Sequence, residues 1–315
     1  MNNYTIAIHG GAGTVKLGEL SPAKEALVQV GLEEALQAGR QILANGGAAL
    51  DAVQAAVRSL EDNPLFNAGR GSVLNYDGGH DLEASIMCGN TLKAGAATGL
   101  KTVKNPILLA RAVMDTTNFV FVNGEGAEAL ARDRGLEIVA NDYFFTEERR
   151  DEWAKKREKA DEPEPGAAAG GFGTVGAVAL DVHGNLAAAT STGGLTNKRY
   201  GRIGDTPLIG CGTYARNGVC AVSGTGDGEF MIRSVVAYDV ACLVEYKGLS
   251  LEEACRLVSE KFRGMGGEGG LIAVDAAGNV AMPYNSPSMY RGYCSPEKGL
   301  YVAIFEDQLG LGPVG

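Results

Sequence analysis

Thr174 stands in Gly-Gly-Phe-Gly-Thr-Val-Gly-Ala-Val-Ala-Leu-Asp (170–181), directly behind a charged, proline-broken stretch. A threonine at the head of an alternating strand is ordinary; its neighbour makes it chemically interesting. Gly173 has no Cβ, so the peptide bond before Thr174 can take a strained conformation and be approached closely. Attack of the Thr174 hydroxyl on the Gly173 carbonyl would turn the amide into an ester. Water would open the ester and leave Thr174 with a free α-amine, whose reference pKa is about 7.7 to 8. One residue would then supply both nucleophile and general base. The charged stretch gains a reason too, because after cleavage it must leave the pocket it blocked.

Other hydroxyls could support Thr174. Thr-Ser-Thr-Gly-Gly (190–194) ends a strand in a glycine loop, and Ser-Gly-Thr-Gly-Asp-Gly-Glu (223–229) sets Thr225 between glycines just before a helix. Backbone N–H groups at such a loop can hold an anion, and a threonine hydroxyl adds a donor; taken alone, either motif is weak and more often a mere turn. In Gly-Arg-Ile-Gly-Asp (201–205), Arg202 and Asp205 stand three apart. An arginine grips a carboxylate bidentately while an aspartate receives an ammonium, so the pair could read the two ends of an α-amino acid. A surface ion pair is the alternative.

These groups need strands that end in glycine loops. Residues 4 to 9 alternate and stop at glycines, which predicts a first strand. Ser21 as N-cap and Pro22 at the first helical position predict a helix through Val28, Leu32, Ala35 and Ile42, stopped by Asn-Gly-Gly. A second helix carries Leu50, Val53, Val57 and Leu60. The stretch 72–87 predicts two short strands about an Asp77-Gly78-Gly79 turn. Shorter helical patterns follow at about 106–115 and 125–133. From Thr146 to Gly171 the composition turns to charge, proline and glycine, whose second half predicts a linker, about 156–173. Then 176–191 and 270–285 share one plan, an apolar run, Asp, two residues, Gly-Asn and an apolar run, predicting hairpins at Asp181–Asn185 and Asp275–Asn279. Between them fall helices at 230–246 and from Ser250. Strands cluster and helices come in pairs, which predicts stacked sheets covered by helices.

The whole chain sets bounds. Its 315 residues are 45% hydrophobic and 21% charged, enough to bury a large core. No run of about 18 apolar residues occurs, and the N-terminal stretch has neither a basic nor an apolar signal region, so no membrane association and a cytoplasmic location are expected. A net charge of −10 argues against nucleic acid as a partner. Cys88, Cys211, Cys220, Cys242, Cys255 and Cys294 lack Cys-x-x-Cys spacing, so buried thiols are expected rather than a disulfide frame or a zinc site. No Gly-x-Ser-x-Gly occurs to make an esterase, and neither glycine loop completes a dinucleotide-binding fingerprint.

Seven ordered motifs, His-Gly-Gly-Ala-Gly (9–13), Phe-Asn-Ala-Gly-Arg-Gly-Ser-Val-Leu (66–74), 89–96, 173–181, 189–194, 197–205 and 223–229, resemble the plant-type L-asparaginases, or isoaspartyl peptidases, of the N-terminal nucleophile hydrolases. The resemblance covers residues 4 to 293 apart from the linker. It implies one α+β domain, an αββα sandwich of two stacked, mainly antiparallel sheets covered by helices. It also implies autocleavage into subunits 1–173 and 174–315, and a dimer of the cleaved pair. Substrates would be L-asparagine and β-aspartyl dipeptides, with no catalytic cofactor. Thr174 resembles the nucleophile, Thr192 the threonine that hydrogen-bonds it, and Thr225 with the Gly226 N–H the oxyanion hole. Arg202 and Asp205 match the carboxylate and amine clamps, with Gly226 and Gly228 near the bound amino acid. Gly10 and Asn67 resemble residues flanking the nucleophile, and Gly173 the residue before the cut. Residues 60–70 resemble a sodium loop in which the carbonyls of Leu60, Glu61, Asn63, Phe66, Ala68 and Arg70 would hold a structural ion. Asp227 departs from the neutral residue expected there and would bring a negative charge near the acyl pocket. The tail after Ser295 matches nothing in the pattern. Nearest alternatives are a glycosylasparaginase or a threonine endopeptidase of the same superfamily, or an uncleaved relative acting as a binding protein.

Overall fold

A computed structural model describes residues 4–158 and 173–306, and local signals account for most of its elements. Ser21 Oγ accepts from the Lys24 N–H at 3.2 Å, Pro22 takes the first helical position, and α1 (Pro22–Ala44) buries Val28, Leu32, Ala35, Leu36 and Leu43. Beside it, α2 (Ala49–Asp62) turns Ala52, Val53, Ala56, Val57 and Leu60 inward.

The large sheet runs in the order β12 (Gly299–Ala303), β11 (Ser288–Ser295), β1 (Thr5–Gly13), β5 (Val175–Leu180), β6 (Leu186–Thr192), β2 (Leu82–Cys88), β3 (Ala94–Leu100), β4 (Phe121–Asn123). Every pairing in it is antiparallel except β3 with β4. The small sheet, wholly antiparallel, is β10 (Val280–Ala281), β9 (Gly269–Asp275), β8 (Cys220–Gly226), β7 (Thr213–Arg216). Helices α1, α2 and α3 (Pro106–Thr116) cover the large sheet, and α7 (Val236–Lys247) and α8 (Leu251–Gly264) cover the small one. Strand alternation sorts the core accordingly. Ile6, Ile8 and Ala177 pack toward α1 and α2, while Ala7, Val178 and Ala188 pack toward Ala221 and Leu271 of the facing sheet. This is the αββα sandwich that the resemblance implied. Because both faces of β1 are covered, its polar members Thr5 and His9 are buried as well.

Four details differ from the sequence expectation. The stretch before the 77–79 turn forms no strand, because Asn75 folds the chain locally, its N–H donating to Gly79 O and its Oδ1 accepting from Asp77 and Gly79; β2 pairs with β3 and β6 instead. The helix expected over 230–246 is broken into α6 (Gly228–Ser234) and α7 by Val235, whose φ is 52°. The linker begins later than 156, since α5 (Glu147–Glu158) opens on Glu147 and Glu148 and closes on Lys155, Lys156 and Arg157, charges that complement the helix dipole; most of the linker lies outside the described residues. Past Ser295 the chain adds β12 as an edge strand, and residues 307–315 lie outside the described residues. The hairpins at Asp181–Asn185 and Asp275–Asn279 form, α3 and α4 (Gly124–Asp133) fill the two shorter helical patterns, and all six cysteines are free thiols. Cys88 and Cys242 are only partly buried, whereas the other four are buried. Among the described residues no helix is long and apolar enough to cross a membrane.

Candidate active site around Thr174

Thr174 sits at the head of β5, between β1 and β6, with only 7% of its surface exposed. Its Oγ1 donates to Thr192 Oγ1 at 3.3 Å, and Thr192 Oγ1 donates in turn to the Gly173 carbonyl at 3.0 Å. Asn67 Nδ2 donates to the same carbonyl at 2.7 Å and to Gly194 O at 2.8 Å, while its Oδ1 accepts from Val73 N–H at 2.9 Å. Two donors therefore converge on the carbonyl oxygen of the one peptide bond whose carbon Thr174 could attack. The Gly173–Thr174 peptide is packed so closely that glycine is required on both sides. A Cβ on Gly173 would lie 2.7 Å from Asn67 Cβ, and one on Gly11, where φ is 116°, would lie 2.9 Å from Gly173 Cα. Gly11 thus borders the bond, and a Cβ on Gly10 would meet Phe66 and Tyr290.

Behind Thr174 lies a seam of neutral polar groups between the sheets. His9 Nδ1 is 2.8 Å from the Thr174 carbonyl, which can only accept, so Nδ1 carries the proton and Nε2 accepts from Ser223 Oγ at 2.8 Å. Burial lowers the His9 pKa to about 3 despite the bond to Thr174, and the ring is neutral. Ser223 continues through Thr190 (2.8 Å) to Thr213 (2.5 Å), and Ser85 Oγ donates to Thr213 Oγ1 at 2.8 Å. Behind Ser191, burial pushes the Glu61 carboxyl up to about 8, although Ser191 Oγ and the Ile107 N–H donate to its Oε1 at 2.6 and 2.9 Å. It too is uncharged near neutral pH.

Thr225 Oγ1 accepts from the Ala12 N–H at 3.0 Å, which leaves its own proton free to donate. Ala12 follows Gly11, so β1 ties Thr225 to the Gly173–Thr174 bond. Gly226, at φ 139°, pairs with Gly269 where β8 meets β9, and a Cβ there would strike Glu268 and Gly269 backbone. The loop can thus follow the strand only with glycine. Asp227 takes the N-cap place of α6, where its Oδ2 accepts from the Glu268 N–H at 2.9 Å and its Oδ1 has no partner among the described residues; burial raises its pKa.

Arg202 and Asp205 meet across Gly228. A Cβ on Gly228 would fall 2.8 Å from Arg202 Nη2 and 2.9 Å from Asp205 Oδ1, so only glycine leaves both heads open. Arg202 gives Nε and Nη2 to Glu229 at 2.8 Å each. Burial opposes its charge, yet Glu229, Glu83 and Asp205 hold the guanidinium pKa above the usual value. Burial pushes the Asp205 carboxyl up to about 7, with Glu83 and Glu229 adding to the rise and Arg202 opposing it, and its Oδ2 has no partner among the described residues. An ammonium group would supply the missing donor and the missing charge. Beneath them Glu83 and Lys198, both buried, pair at 3.3 Å.

The 60–70 loop is folded by its own backbone hydrogen bonds. Leu60, Glu61, Asn63 and Phe66 carbonyls each accept one N–H within it, from Asn63, Arg70, Phe66 and Ala68. Each keeps a second lone pair, and oxygen donors suit a hard cation. No cluster of three or more His, Cys, Asp or Glu that could hold a metal occurs among the described residues.

His9, Gly11, Glu83, Lys198 and Glu229 belong to the site without having been singled out from sequence. His9 and Gly11 lay inside His-Gly-Gly-Ala-Gly and Glu229 closed the 223–229 motif, so those motifs held the signal; Glu83 stood in an ordinary apolar strand and gave none.

A family model described as asparaginase matches residues 2–304. An isoaspartyl peptidase of Salmonella typhimurium is 50% identical over 311 residues, covering 96% of this chain and 99% of that protein. An isoaspartyl peptidase of Escherichia coli is 49% identical, covering 96% and 97%, and an isoaspartyl peptidase/L-asparaginase of Xenopus laevis is 41% identical, covering 98% and 94%.

Proposed function

The chain belongs to the asparaginase family, and from that premise we propose that it is a self-cleaving threonine amidohydrolase acting on L-asparagine and β-aspartyl dipeptides. One observation carries the reading: the Gly173 carbonyl is held by Asn67 and Thr192 while Thr192 also receives the Thr174 hydroxyl. In the first step Thr174 Oγ adds to the Gly173 carbonyl carbon, and the hydroxyl proton passes by way of Thr192 to the carbonyl oxygen that Thr192 already contacts. Asn67 steadies the charge on that oxygen. Collapse breaks the C–N bond as the proton on that oxygen passes to the departing nitrogen, which leaves the Thr174 amine, and water then hydrolyses the ester to free the Gly173 carboxylate and restore the Thr174 hydroxyl.

The mature site then works on substrate. The Thr174 amine accepts the hydroxyl proton as Oγ attacks the side-chain amide carbon. Thr225 Oγ, its acceptor side occupied by Ala12, donates to the oxyanion together with the Gly226 N–H. The departing amine, ammonia or an amino acid, takes the proton, and water releases L-aspartate from Thr174. Arg202 holds the α-carboxylate through the donors that Glu229 leaves free, and Asp205 holds the α-ammonium. Both substrates share this aspartyl half. A dimer of the cleaved pair completes the reading, as does a structural sodium on the carbonyls of Leu60, Glu61, Asn63, Phe66, Ala68 and Arg70. Its role would be to fix the loop that carries Asn67.

Intact mass and N-terminal sequencing test the first step. The purified protein should resolve into 1–173 and 174–315, the second beginning Thr-Val-Gly-Ala-Val. Thr174→Ala should remain whole and lose all measurable hydrolysis; full activity in an unbroken chain would sink the reading.

A further inference from the structure

We infer that Tyr76 is a positioning residue for the substrate clamp: its ring, shared by the guanidinium groups of Arg199 and Arg157, braces the strained loop that presents Arg202. The inference rests on Arg202 binding the substrate carboxylate as proposed above.

The loop from Asn197 to Asp205 is costly to hold in shape. Asn197, Tyr200 and Gly201 have φ of 66°, 57° and 66°. Tyr200 is a bulky residue in left-handed backbone, and its side chain is 98% exposed, so packing of its own ring does nothing to offset the strain. Such backbone persists only where its surroundings over-determine it. On the inner side Glu83 does this. Its Oε1 lies 3.3 Å from Lys198 Nζ and its Oε2 accepts from the Gly204 N–H at 3.3 Å, so one carboxylate ties both ends of the turn.

On the outer side the tie is the segment 74–76. The Asn197 N–H donates to Leu74 O at 2.8 Å, and the Tyr76 N–H donates to Lys198 O at 2.9 Å. Arg199 Cζ stands 4.1 Å from the Tyr76 ring centroid, and the Arg199 carbonyl accepts from the Arg202 N–H at 2.9 Å. Arg199 therefore links the ring directly to the backbone of the clamp. Helix α5 joins from outside. Arg157 Cζ lies 5.1 Å from the same ring and 4.7 Å from that of Trp153, whose indole N–H donates to Asn75 O at 2.8 Å. None of these groups touches the scissile bond or Thr225, so their loss should weaken capture of the amino acid and spare the chemical step.

The test is steady-state hydrolysis of a β-aspartyl dipeptide by mature full-length wild type, Tyr76→Phe, Tyr76→Leu and Arg157→Gln. A guanidinium–ring contact contributes about 0.5 to 2 kcal/mol, so Tyr76→Leu should raise KM roughly two- to thirtyfold. Its kcat should stay within about twofold. Tyr76→Phe keeps the ring and should match wild type; Arg157→Gln, on an exposed helix, should raise KM less. Trp153 is the only tryptophan, and L-aspartate should shift its emission in wild type and Tyr76→Phe but not in Tyr76→Leu. An unchanged KM in Tyr76→Leu, a fall in kcat in place of the rise in KM, or a silent Trp153 in wild type would overturn the brace. If Tyr76→Leu does not fold, Arg157→Gln with unaltered KM does the same. Wild type that cleaves no β-aspartyl bond would instead remove the reading of the site on which the brace depends, a result plainly different from an active enzyme with an indifferent variant.

Discussion

Around Thr174 the polar partners are neutral, whereas around Arg202 they are charged. Thr192 at the end of β6, the uncharged His9 within β1 and Asn67 on the 60–70 loop surround the first, and their bonds run from 2.7 to 3.3 Å. Glu229, Glu83, Asp205 and Lys198 surround the second, two of them on an irregular loop. Burying unpaired charge is expensive, so a rigid strand interior tolerates hydroxyls and amides that satisfy one another. Charges are tolerated where they can pair and where a ligand can complete the pairing. The contrast assigns bond chemistry to the part whose neutral groups satisfy one another and recognition to the part that is tuned electrostatically.

If the ends are separable, the largest effect should strike turnover without touching maturation. Thr225→Val keeps the shape but removes the oxyanion donor, and kcat should fall about 10²- to 10³-fold. Self-cleavage should proceed, because Asn67 and Thr192 rather than Thr225 hold the Gly173 carbonyl. A Thr225→Val protein recovered uncleaved on a denaturing gel would show that one hole serves both reactions. The converse variant, Arg202→Ala, should raise KM about 10²-fold, since it truncates one side of a buried charge contact. It should also mature at the wild-type rate; the Glu229 it strands is 43% exposed at its side chain and can turn to water.

Asp205 allows a finer cut. Its carboxyl is held up to about 7, so below that pH it is protonated in the free protein and cannot balance an ammonium. The ratio kcat/KM should therefore drop about tenfold per pH unit below 7. Stability runs the other way. A raised folded pKa means that the folded state holds the proton more tightly, so stability is greatest below the ordinary aspartate value and is lost as pH climbs to about 7. The loss is on the order of 3 to 4 kcal/mol. Asp205→Asn should remove the Asp205 part of the activity slope, leaving only that of the Thr174 amine, and leave the protein more stable than wild type at pH 8, as measured by denaturant midpoints. Glu61, raised to about 8, has the same sign and would remain in the variant.

The two ends also differ in how much of them could be read from sequence. The nucleophile end is written in short motifs because each hydroxyl carries its own glycines, even though Asn67, His9 and Ala12 reach it from far along the chain: Gly173 precedes Thr174, Gly193 and Gly194 follow Thr192, and Gly226 follows Thr225. Glycines mark close backbone approaches, and the structure uses them so. The clamp showed Arg202 and Asp205 but hid what holds them, since Glu83 reaches Lys198 and Gly204 across more than a hundred residues. Periodicity likewise gave α1, α2 and the Asp181 and Asp275 hairpins. It missed the break at Val235, where an apolar run continued through a left-handed residue, and it made a strand of 72–76, where the Asn75 side chain competes with pairing.

The smallest expected effect separates support from chemistry inside the neutral end. Ser223→Ala removes the donor to His9 Nε2 and leaves a buried acceptor with no replacement, a loss of about 1 to 2 kcal/mol. Calorimetry should show this as a fall in Tm of roughly 2 to 8 °C. Yet kcat should change by less than about threefold, because His9 contacts the Thr174 carbonyl and not its hydroxyl or amine. Should kcat fall a hundredfold with Tm intact, the seam of Ser223, Thr190 and Thr213 would have to carry protons during turnover. The line between the neutral scaffold and the reacting hydroxyl would then run through the sheet interface and not at Thr174.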